Sequence, residues 1–184
     1  MGAMTPAPQD TTPWEHLGER LAGSFAARAR GLLAPELLLS SRNGEEFGRL
    51  RLDGPEGASF EAGDARATIE RGTGPRFRML DGGGNVLVEE TAGSADAPEV
   101  RCGGRLYEAR LRLLRNAAEA RSPGGSEAAS VAGGLTNRVY QVSFAAEDEN
   151  SLPLAVFLLF RIVALRRRAF LTGGASGGTA GRGR

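Results

Sequence analysis

The chain contains no lysine; its 23 strongly basic side chains are all arginine. That absence removes several chemistries together. A Walker-type phosphate loop, a pyridoxal Schiff base and the strand lysine of a protein kinase each need a lysine amine. Cys102 is the single cysteine, which excludes an intrachain disulfide and any multi-cysteine metal site and points to the cytoplasmic side. His16 is the single histidine. Between Glu15 and Leu17 it reads as a surface or capping residue, which leaves a hydrolytic triad without its base. A formal charge of +1 supplies no global field that calls for nucleic acid. The start of the chain lacks a basic–apolar–small signal pattern, and Met1-Gly2-Ala3-Met4 reads as a cloning remnant ahead of a native Met4.

Long hydrophobic runs are absent too, with one exception. Residues 152–165 are apolar apart from Arg161 and are closed by Arg166-Arg167-Arg168. A membrane helix needs about 20 mostly apolar residues. A guanidinium at bilayer depth costs at least about 2.5 kcal/mol. Pro153 suits a first helical turn, Ser151 or Asn150 can cap it, and Glu147, Asp148 and Glu149 favour the positive end of its dipole. Apolar residues occupy nearly every face from Leu154 to Phe160, the pattern of a helix enclosed by protein. The run therefore predicts a buried helix over 152–168, in which Arg161 needs a carboxylate or carbonyl partner. The alternative is a tail anchor that leaves the domain for a bilayer.

Outside this run the chain reads in four parts. Residues 1–13 form a remnant and a Pro/Thr-rich leader expected to be disordered. Over 14–34, Trp14, Leu17, Leu21, Phe25, Ala29 and Leu32 recur at three or four residues and predict an amphipathic helix, with Arg20, Arg28 and Arg30 off its apolar stripe. From 36 the rhythm is β. Asn43-Gly44 marks a hairpin between 37–41 and 47–52. Shorter strands follow over 58–61, 65–70, 76–80, 86–90, 99–102, 107–113 and 139–144, while 116–134 is ambiguous. A Gly/Ser-rich tail over 171–184 has no means of packing.

Many short, turn-punctuated strands imply a sandwich or barrel, and a wide barrel needs something in its lumen. The order of opening hairpin 37–52, meander 65–90 around Asp81-Gly82, last strand 139–144 and greasy helix 152–165 resembles the tubby C-terminal-like superfamily. That group includes tubby domains, LURP-one-related proteins and phospholipid scramblases; the ending 152–168 is similar to its uncharacterised bacterial members. The resemblance spans 36–170. It implies a mainly β fold: a closed antiparallel barrel of about twelve strands around a central hydrophobic C-terminal helix, with the amphipathic helix outside it. It also implies a binding or membrane-associated module without a residue-level site, and the expected location is cytoplasmic or peripheral on the membrane. The tubby phosphoinositide pocket uses lysine, and scramblases use a cysteine-rich segment and an acidic calcium stretch. Neither set has a counterpart in this chain.

No enzyme motif emerges, and no cofactor or metal is expected. Asp81-Gly82-Gly83-Gly84-Asn85 lacks the Lys-Ser/Thr of a phosphate loop and reads as a hairpin turn. Glu89-Glu90 point to opposite faces of a strand and form no acid/base pair. Cys102 reads as a small hydrophobe in a strand. The expectation is a non-enzymatic binding module for a lipid, anionic headgroup or membrane surface. Arg161, Arg166, Arg167, Arg168, Arg20, Arg28 and Arg30 are its candidate residues. A structural or protein-interaction domain without lipid affinity is the alternative.

Overall fold

Short extended segments joined by tight turns wind into one closed wall. The computed structural model describes residues 12–31, 36–54, 56–134 and 138–173, with side chains to Ala169. Most of the expected leader and tail lies outside the described residues. Helix α1 spans Pro13–Leu21. Six strands follow: β1 Ser24–Arg30, β2 Glu36–Ser40, β3 Glu46–Leu52, β4 Ala58–Ala62, β5 Ala65–Arg71 and β6 Phe77–Asp81. The second half holds β7 Val86–Gly93, β8 Pro98–Cys102, β9 Arg105–Arg112, β10 Ala117–Arg121, β11 Glu127–Gly133 and β12 Val139–Phe144. A 3-10 turn, Leu113–Arg115, joins β9 to β10, and helix α2 runs over Ser151–Gly173. Each strand pairs antiparallel with its sequence neighbour, and β1 closes the twelve-stranded barrel on β12 through Ser24↔Ser143 to Arg28↔Val139.

The predicted helix over 14–34 is corrected: it stops at Leu21. Ala22 takes a left-handed conformation (φ 47°) and donates its N–H to Gly18 and Glu19 carbonyls, and Gly23 follows at φ 85°. Phe25 and Ala27 then bury by alternation, so the same residues satisfy a strand period. Placing that strand between β12 and β2 removes both open edges of the sheet, a gain that no local helix provides. The ambiguous stretch 116–134 is resolved as β10 and β11.

The inward faces of the wall are unequal. β1 to β6 contribute Phe25, Leu37, Leu39, Leu50, Phe60, Ile69 and Met79, all nearly or fully buried. β10 and β11 contribute Ala118, Ala120 and Ala129 instead. Helix α2 packs most closely against β10, β11 and β12. Small residues on that side let the helix approach the wall, and large ones fill the remaining width. Every α2 residue from Ser151 to Ala164 is buried. The helix therefore runs inside the barrel, as its all-round apolar sequence predicts.

Helix α1 closes one end. Thr12 caps it: its hydroxyl accepts from Glu15 N–H at 3.3 Å, and its own N–H donates to Glu15 Oε2 at 2.6 Å. Trp14 lies stacked on Phe60 with ring centres 5.0 Å apart, and Gly18 brings the helix close to Leu152.

Candidate functional site: the arginine rim

The antiparallel meander sends alternate turns to opposite rims. The turns before β3, β5, β7, β9 and β11, together with the 145–150 segment, share a rim with α1. The other rim is where α2 emerges, beside the Leu113–Arg115 turn. Acids predominate at the α1 rim, which also carries Arg20, Arg42, Arg66 and Arg105. Around α1 stand Glu15, Glu19, Asp64, Glu147, Asp148 and Glu149. At the opposite rim stand Arg30, Arg115, Arg138, Arg166, Arg167 and Arg168, with Arg28 just below on the wall.

The structure separates the predicted arginines. Arg28 and Arg30 lie exposed on β1, whose pairing with β12 puts them beside Arg138. Arg166 is half-buried, and its Nη1 donates to the Leu113 carbonyl at 2.7 Å. Its Nε is buried without a hydrogen-bond partner. Arg167 is half-buried, and Arg168 reaches Glu56 at 3.4 Å. Arg20 sits on α1 at the acidic end, apart from this group. Among the described residues no ion pair engages Arg28, Arg30, Arg115, Arg138 or Arg167. The acids near this rim are Asp53, Glu56, Glu70, Asp96 and Glu99, with Glu36 opposite Arg30. Glu56 is held by Arg71 and Arg168, and Glu36 lies 3.6 Å from Arg51.

Arg161 is not on this surface. It is 5% exposed, buried in the lumen as the enclosed helix predicts. Its Nε donates to Glu90 Oε1, while Glu90 Oε2 accepts the Phe77 N–H at 2.9 Å. The guanidinium carbon stands 4.5 Å from the Phe77 ring centre. Glu90 points inward from β7 beside outward Glu89, which pairs with Arg101. The alternation expected of the two adjacent glutamates thus supplies the partner that the buried arginine needs.

The α1 end carries a groove of about 450 Å³ whose lining includes Trp14, Arg66, Asp81, Val86, Cys102 and Asn150. Burial, with the charges of Asp148 and Glu149, pushes the Cys102 thiol up to about 12. At neutral pH it is a protonated small hydrophobe rather than a nucleophile. Asp81 closes the β6–β7 hairpin by accepting from the Asn85 side chain at 3.0 Å and from the Gly83 and Asn85 N–H groups at 2.8 Å each, which lowers its pKa, Asn85 first. The glycine run there is a turn, as its sequence predicts. Among the described residues no helix is long and apolar enough to cross a membrane.

No family model matches the chain, and no curated protein matches it by sequence. An X-ray structure of a protein from Arabidopsis thaliana, AT5G01750, is similar in fold with a TM-score of 0.52 at 10% identity, over 80% of this chain and 92% of that one.

Proposed function

We propose that this barrel is a non-enzymatic binding module that docks by its arginine rim on an anionic membrane surface. The observation that carries the reading is the polarity of the molecule. A chain of net charge +1 gathers arginines without carboxylate partners at one rim and acids around α1 at the other. Each basic residue near an anionic leaflet contributes about 1 kcal/mol, and the contribution fades within a Debye length. Five such residues can hold a peripheral protein at low salt and release it at high salt. The acidic end, repelled by the same surface, sets the orientation. The resemblance to the tubby-like superfamily, some of whose members bind lipid headgroups, agrees with this reading, although the residues here are different ones.

The test is flotation of the protein with vesicles of phosphatidylcholine alone or mixed with phosphatidylserine, at low and high salt. Binding to the anionic vesicles alone, abolished by salt, is the expected result. A second reading, a protein-interaction domain without lipid affinity, rests on the groove beside Trp14 and predicts no flotation on either vesicle.

A further inference from the structure

The Leu113–Arg115 turn presents Leu114 at 99% exposure. A single apolar side chain on a surface is ordinary. This one differs in where it stands and how firmly it is held. The turn is tied at both ends. The Leu113 carbonyl accepts from Arg166 Nη1 at 2.7 Å and from the Asn116 N–H at 3.2 Å. Asn116, in a left-handed conformation (φ 51°), donates its side-chain amide to the Gly134 carbonyl at 2.9 Å. Its own carbonyl accepts the Gly133 N–H at 2.7 Å. Gly133 permits that contact, because a Cβ there would fall 2.0 Å from Asn116 Nδ2. The leucine is therefore held out into solvent by a pre-formed turn, so little ordering remains to be done on binding. Arg115 follows it directly, Arg166 lies beneath it, and the neighbouring β11–β12 connection ends in Arg138 and the 38% exposed Val139.

We propose that Leu114 inserts into the headgroup–acyl boundary of an anionic membrane while the arginines around it engage the headgroups. This deepens the docking reading above and rests on it. A purely electrostatic patch gains nothing from a rigidly presented leucine beside it. A basic surface with an apolar tip instead matches an interface that is anionic outside and apolar a few ångströms in. The insertion adds a salt-insensitive component to a salt-sensitive attachment.

The chain supplies its own control, since its one tryptophan, Trp14, is buried at the opposite end. Leu114→Trp is placed on phosphatidylserine-containing vesicles with brominated acyl chains, and quenching is compared with that of the wild-type chain. In parallel, Leu114→Gln is floated on the same lipid without bromine. The expected result is quenching in Leu114→Trp and none in the wild type, with Leu114→Gln binding about tenfold or more weakly. Both variants should keep the wild-type melting temperature, because the side chain is fully exposed. Flotation of Leu114→Trp without quenching, or undiminished binding by Leu114→Gln, would overturn the insertion and leave electrostatic docking intact. Absence of wild-type flotation on anionic vesicles would overturn both.

Discussion

Arg161 and Glu90 stand 71 positions apart and meet inside the barrel, where the guanidinium Nε donates to a carboxylate that also accepts the Phe77 N–H. The contact ties α2 to the β6–β7 side of the wall, opposite the alanine strands that it otherwise packs on. A pair 7% and 3% exposed at its side chains adds little net stability over an apolar equivalent but fixes how far the helix is threaded and how it is turned.

Removing either partner alone leaves a buried charge. Arg161→Met and Glu90→Leu should each cost about 3–5 kcal/mol, and the double variant should cost clearly less than their sum. Urea unfolding of the four proteins measures this cycle. Additive losses would show that the two groups do not interact in solution.

The alanines of β10 set the distance between wall and helix. Ala120→Leu should destabilise by about 1–3 kcal/mol through overpacking, while Ala132→Leu, on the exposed face of β11, should stay within about 0.5 kcal/mol. Thermal melts of the pair check it; equal shifts would place the helix elsewhere.

Cys102 should resist a thiol reagent at pH 8 in the folded protein and react fully in urea. Its folded pKa of about 12 lies above its ordinary value of 9.0. The stability linked to the neutral thiol is therefore complete below pH 9.0 and declines as pH rises from there towards 12. Denaturation midpoints for wild type and Cys102→Ala across that window should converge as pH rises. A Cys102 that labels rapidly when native would contradict the burial.

Legibility in the sequence followed side-chain size. The helix over 152–168 stands out because every face of it is apolar, and the Asn43-Gly44 hairpin because a positive-φ glycine (φ 81°) is what that turn requires. β10 and β11 were obscure for the reason that makes the fold work: alanine is a poor strand former, and alanine is what lets α2 approach. The β1 sequence reads as helix because Phe25 and Ala29 fit a helical spacing as well as a strand one. Only closure onto β12, more than a hundred residues downstream, decides between them. That closure also brings Arg28 and Arg30 beside Arg138. It leaves Arg20 at the far end, so four of the seven arginines picked out by charge alone (Arg28, Arg30, Arg166 and Arg167) belong to the rim without an acidic partner. Leu114 gave no signal, since an exposed leucine next to Leu113 looks like the continuation of a strand.

The most direct measurement is the affinity for phosphatidylserine-containing vesicles of Arg28→Glu/Arg138→Glu set against Arg20→Glu, with melts to confirm folding. The rim variant should bind at least about tenfold more weakly, and Arg20→Glu, which adds negative charge to an end already acidic, should bind as the wild type does. Equal losses in the two variants, or no loss in the rim variant, would contradict docking through the arginine rim.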